Sequence, residues 1–251
     1  MSGTSAASAR KAAVAGLPIA RLTPEAQERI RRITNSPTFF RRLPPQEIVC
    51  DRDLFLFLTR QPEVLVGIWD LMGITKVQVQ RTGRYQLDSG DGSGTQCRLD
   101  LVYGDPHQHI YVADGVYDGR LVARPIRGRG VFIVRSDYEQ TVDGQTTVQG
   151  TIDCFIKIDS LGADLIARTF SPLIGRSADH NFVETARFVG QIHQACERNP
   201  AGMMDTATNM PQVGADIRRQ FATEIYRVAG RSQARIASLS ELGATSGLGR
   251  D

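Results

Sequence analysis

Few residues in this chain combine types and spacing that could do chemistry. Asp105-Pro106-His107-Gln108-His109 contains an H-x-H pair. On a strand, two histidines one residue apart point the same way, as paired metal ligands do. The other two, His180 and His193, fall thirteen residues apart on a predicted helix, roughly 220° around it, and cannot converge on one metal. The stretch therefore reads as a polar hairpin, and no metal site or cofactor is expected. Asp179-His180-Asn181 is the most enzyme-like cluster, but an Asp near the start of a helix is already explained by the helix dipole. No Ser or Cys has a histidine partner in its neighbourhood, so no catalytic residue is assigned.

Other fragments have turn explanations. Asp88–Gly94 (DSGDGSG) lacks both the Gly-Lys-Ser/Thr ending of a phosphate loop and the ligand pattern of a calcium loop, and reads as a hairpin turn. Arg127-Gly128-Arg129-Gly130 enters a strand at once. Tyr103, Tyr111 and Tyr117 could set hydroxyls into a pocket, or be sheet aromatics with wetted tips. The four cysteines, Cys50, Cys97, Cys154 and Cys196, form no C-x-x-C pair and are expected as buried reduced thiols.

Charge is unevenly spread. Residues 1–42 carry eight Lys/Arg against two Glu, residues 43–198 sixteen basic against twenty acidic groups, and residues 199–251 six Arg against five acids. A central region that is slightly acidic, with scattered arginines, argues against a nucleic-acid partner. No apolar run approaches the roughly 20 residues that span a bilayer. The N-terminal stretch lacks the h-region of a signal peptide, so a cytoplasmic location is expected.

The elements that must position any site follow from periodicity. Residues 1–22, rich in Ala, Ser and Gly, read as a disordered arm, and residues 23–45 as a helix and linker. The helix starts at Thr23-Pro24-Glu25, with Ala26, Ile30 and Ile33 on one face and a Glu25–Arg29 pair on the surface. Gln46–Cys50 reads as a strand. Asp51 caps a helix to about Arg60, and Pro62-Glu63 starts another that ends near Gly73. From Thr75 to Asp159 the period is two, with short turns between runs, which predicts an antiparallel meander. Helical spacing returns at Ala163–Phe170, breaks at Ser171-Pro172, and resumes from Ser177 to about Arg198. Residues 199–251 read as a flexible tail in which Ala215–Leu239 could form a helix. Ile217, Phe221, Ile225 and Val228 line one of its sides and five arginines the other. That amphipathic side could meet a protein or a membrane surface.

The order strand, two short helices, six antiparallel strands and long helix resembles that of the START/Bet v 1-like (SRPBCC, polyketide cyclase-like) superfamily over residues 46–198. The segment LGADLIARTFSPLIGRSADHNFVETARFVGQIH resembles the passage from last strand to long helix in those proteins. IVCD leading into DLFLFLTRQPEVLVGIW resembles their first strand and paired helices. The resemblance implies an α+β helix-grip fold: a curved antiparallel sheet of about seven strands, two short helices and a long C-terminal helix. It also implies binding of a hydrophobic small molecule or lipid between sheet and long helix. Leu101, Tyr103, Ile152, Cys154, Phe182 and Val189, on inward faces of their elements, are the expected lining. A cyclase- or hydrolase-like enzyme on the same fold, or an interaction module with a filled core, are the competing readings. The face alternation of His109–Tyr117 and Arg129–Thr141 stays ambiguous.

Overall fold

The computed structural model describes residues 2–120, 122, 124–142, 144–159 and 163–246, with side chains described outside 163–174 and 239–246. It is an α+β molecule built on one curved antiparallel sheet. The strands are β1 (Phe39–Arg42), β2 (Gln46–Val49), β3 (Gln78–Gly83), β4 (Gln86–Gly90), β5 (Thr95–Gly104), β6 (Gln108–Tyr117), β7 (Ile126–Gln140) and β8 (Thr146–Ile158). They lie in the order β1-β8-β7-β6-β5-β4-β3, and β2 continues the line of β1 along β8. Pro44-Pro45 divides those two strands because proline offers the ladder no N–H. Leu43 still donates to the Ile152 carbonyl at 2.8 Å. β1 falls in the stretch read from sequence as a linker.

Helices α3 (Arg52–Arg60) and α4 (Pro62–Leu71) follow β2. Asp51 caps α3, accepting from the N–H groups of Asp53 and Leu54 at 2.9 and 3.1 Å. Helix α5 (Ala163–Arg198) follows β8 as one element of 36 residues, running through Ser171-Pro172, with Ser177 inside it and not at its cap. A proline removes one helical hydrogen bond, so this dipeptide reads as a break although the helix continues through it. The predicted GDGSG turn is present: Asp91 accepts from the N–H groups of Ser93 and Thr95 at 2.8 and 2.9 Å.

Both terminal regions are more ordered than their composition suggests. Residues 7–21, read as part of a disordered arm, contain helix α1 (Ala7–Ala15) and a 3-10 turn (Ile19–Arg21) before α2 (Pro24–Thr34). Ala13, Ala26, Ile30 and Ile33 seal one sheet face, packing with Ile110, Val112, Val131, Ile133 and Phe155. Arg29 does not pair with Glu25; it reaches across to Asp100 at 2.7 Å and Asp114 at 2.9 Å. At the other end, α6 (Pro200–Asn209) and α7 (Ala215–Ser246) fold back. Ile217, Phe221, Ile225 and Val228 enter a core shared with α3, α4, α5 and β2.

Among the described residues, no helix is long and apolar enough to cross a membrane. Cys50, Cys97, Cys154 and Cys196 are free thiols; Cys97 is half-buried and the other three are buried.

Candidate functional site

Strand pairing fixes which side chains share the face opposite α1 and α2. One cross-strand row runs Leu101, Tyr111, Phe132, Cys154, Arg41. A second runs Leu99, Ala113, Gly130, Ile156, Phe39, and a third His109, Val134, Ile152. Leu99, Leu101, Phe132, Val134 and Ile152 are only half-buried, whereas Ile110, Val112, Val131, Ile133 and Phe155 on the other face are closed off. The sheet thus has an apolar patch sealed beneath α1 and α2 on one face, and on the other it keeps apolar surface in contact with solvent.

Helix α5 lies along the β1–β2 side of this open face. A Cβ added at Gly190 would meet Ile48 and Val49 at 3.8 and 3.7 Å, and one at Gly175 would meet Arg41 at 3.2 Å. Phe182, Ala186 and Val189 fall at i, i+4 and i+7, one stripe of the helix. Phe182 is half-buried, and Val189 joins the core with Ile48 and Val148.

Of the six expected lining residues, Leu101, Ile152 and Cys154 share the open face, and Phe182 sits on the described part of α5 near its polar tie to β1. Val189 belongs to the filled core. Tyr103 lies on the opposite face. A β-bulge between Leu101 and Tyr103 leaves Val102 unpaired and shifts the register, so Tyr103 pairs with Ile110. Its ring packs against the N-terminal helices. Its hydroxyl accepts from Arg21 at 3.1 Å and donates to Asp105 at 2.6 Å. Alternation from Cys97 carries no mark of the extra residue. Phe132 and Val134 were missed because β7 alternates ambiguously; the register against Tyr111 and His109 settles their side.

The open face is bordered by an ion pair. Arg41 donates to Asp179 of α5 from Nε at 2.7 Å and from Nη2 at 2.5 Å. Those bonds, with one from the Gly3 N–H, hold the Asp179 carboxyl below the usual range. The position next to a helix start does not explain Asp179, which sits within α5. Burial pushes the neighbouring Cys154 thiol up to about 12. The thiol so raised stays protonated and packs as part of an apolar wall.

A second polar cluster went unseen in the sequence. Glu63, 2% exposed, receives Arg81 from Nε at 2.5 Å and from Nη2 at 2.9 Å. Arg81 also reaches Gln61 and the Arg60 carbonyl. Arg60 Nε donates to His109 Nε2 at 2.9 Å, and the Tyr111 hydroxyl donates to the Thr59 carbonyl at 2.6 Å. Accepting at Nε2 places the His109 proton on Nδ1, which has no partner among the described residues. Burial, then the Arg60 charge, pulls His109 down to about 4, so the ring is neutral. Burial also raises Tyr111. The acid, the base and the phenol are thus each consumed by a partner and closed to solvent. The cluster brackets the α3–α4 corner onto β3 and β6. His107, the other half of the H-x-H, lies in the turn before β6 with its Nδ1 at 3.1 Å from the Ser136 carbonyl. The two rings do not share a strand face.

An open trough of about 1280 Å³ lies on the N-terminal-helix side of the sheet, beyond α2. Gln78, Gln80, Gln96 and Arg127 line it, with Asp88–Arg98 and Arg129–Asp159 ion pairs at 2.9 and 2.6 Å. Its charges compensate one another across neighbouring strands, as on a solvated sheet face.

No family model matches the chain, and no curated protein does. Among solved structures, one similar to it is described as a conserved protein from Geobacillus kaustophilus. The likeness has 10% identity and a TM-score of 0.35, and covers 57% of this chain and 87% of that one. A likeness that low carries no argument about what this protein does.

Proposed function

We propose that the protein binds a hydrophobic small molecule or lipid on the open sheet face beneath α5, as a cytoplasmic member of the START/Bet v 1-like superfamily. The observation that carries this reading is the asymmetry of the two faces. Leu99, Leu101, Phe132, Val134 and Ile152 stay partly exposed around Cys154, while Ile110, Val112, Val131, Ile133 and Phe155 on the reverse face are sealed beneath α1 and α2. Contiguous apolar surface left open beside a helix is the usual form of a site for apolar ligands. Covering some 200 Å² of it would contribute on the order of 5 kcal/mol before the costs of association. The element order supports the superfamily: first strand, two helices, meander, long helix, with the first strand beside the last.

A protein or membrane-surface contact through the C-terminal region would use the exposed side of α7, where Arg219, Tyr226, Arg227 and Ile236 lie. The apolar stripe of that helix is spent on the core.

Native mass spectrometry of the purified protein tests the ligand reading. The expected result is an added mass that disappears on denaturation, together with enhanced Nile red fluorescence once that ligand is stripped. A bare polypeptide mass with no dye binding overturns it.

A further inference from the structure

Residues 3 and 4 run along the outer edge of β1. Thr4 and Arg42 exchange two backbone hydrogen bonds, each 2.8 Å, as a single antiparallel bridge. Gly3 donates its N–H to Asp179 Oδ2 at 2.8 Å, the carboxylate that Arg41 already grips. A Cβ at Gly3 would come within 2.5 Å of both the Arg42 carbonyl oxygen and Asp179 Oδ1, so a larger residue cannot occupy this path unchanged. Three elements, the N-terminal arm, the edge strand and α5, therefore meet on one carboxylate.

The two parts of the described α5 are held differently. Ala186, Val189, Ile192 and Cys196 are anchored in the apolar core. Between Gly175 and Phe182 no described residue belongs to either apolar cluster, and the described ties of the segment to the sheet are the polar contact at Asp179 and the packing of Gly175 on the Arg41 side chain. The arm itself leaves from α1, where Thr4 Oγ1 accepts from the Ala6 N–H at 3.2 Å. It ends in two backbone contacts and one charge-assisted bond, few enough to open locally without unfolding the domain.

We propose that residues 2–5 are a strap that holds the Gly175–Phe182 segment of α5 down beside Ile152 and Cys154, and whose release lifts that segment to admit an apolar ligand. The admission step rests on the ligand reading above; the hold on α5 does not. Asp179 couples the two: loss of the Gly3 bond removes one of its supports, and loss of its charge weakens all of them and leaves one acceptor oxygen where there were two.

Hydrogen exchange on full-length Gly3→Ala and Asp179→Asn proteins, with Nile red association by stopped flow, tests the strap. In both variants the amides of residues 176–182 should exchange roughly tenfold faster or more, with those of 192–196 unchanged. Dye association should quicken by a similar factor, with an unchanged circular dichroism spectrum. If Gly3→Ala frees the Thr4 and Arg42 amides yet leaves residues 176–182 and the dye rate as in the parent, the proposal is overturned. Asp179→Asn keeps the test open should the glycine variant fold poorly, and the same unchanged exchange there has the same meaning. A dye that binds neither parent nor variant sinks the ligand reading and the admission step, while exchange alone still judges the hold on α5.

Discussion

Arg81 on β3 closes over Glu63 in the first turn of α4 with two hydrogen bonds, and the carboxylate so held is 2% exposed. A buried charge with one partner removed is left uncompensated, so Arg81→Ala should cost about 3–5 kcal/mol. Arg81→Met combined with Glu63→Leu should recover most of that loss, since apolar packing can replace a buried pair. Urea unfolding of the three proteins checks both outcomes.

The two sheet faces should respond differently to truncation. Ile133, fully buried against the N-terminal helices, should lose about 2–5 kcal/mol on Ile133→Ala. Ile152→Ala, at a half-buried position on the open face, should lose about 1 kcal/mol or less. Ile152→Arg should abolish Nile red binding while the domain stays folded.

Tyr103 provides the converse control. Tyr103→Phe removes hydrogen bonds to Arg21 and Asp105 and should cost about 0.5–1.5 kcal/mol. Dye affinity should not change, because the ring faces away from the open side. A large loss of affinity in this variant would place the binding surface on the wrong face.

His109 makes stability fall on mild acidification. Its native value, near 4, lies below the ordinary 6.5, so between those limits the unfolded chain takes up a proton that the native ring refuses. The contribution is complete above about 6.5 and is lost progressively toward about 4. Burial lowers His193 in the same direction. Chemical unfolding at pH 7 and pH 5 should show a smaller loss for His109→Gln than for the parent protein.

Helix α7 is part of the folded body. Phe221 is 0% exposed and stacks on Phe57 with ring centroids 5.8 Å apart. Phe221→Ala should cost about 3–5 kcal/mol. Truncation after Gly214 should leave a protein that binds hydrophobic dyes non-specifically and lacks a cooperative thermal transition.

The sequence by itself determined the strands of the meander and their order, the caps at Thr23 and Asp51, the Asp91 turn, and helix over 177–198 after the last strand, though not its continuity with 163–170. Those features are local. Side chains alternate every two residues on a strand, capping groups sit within three residues of their donors, and short turns leave antiparallel pairing as the simple connection. Only the tertiary structure decided which face each strand presents and who pairs with whom. Tyr103 changed sides because one extra residue at Val102 breaks the alternation, and no residue type announces a bulge. Arg29 reached Asp100 instead of Glu25, and Arg81 found Glu63 eighteen residues away, because an ion pair depends on distance in space and on burial. The apolar stripes of α2 and α7 were legible in the chain. Their destinations, one closing a sheet face and the other completing the core beside α3 and α5, were set by the contacts available once the sheet had formed.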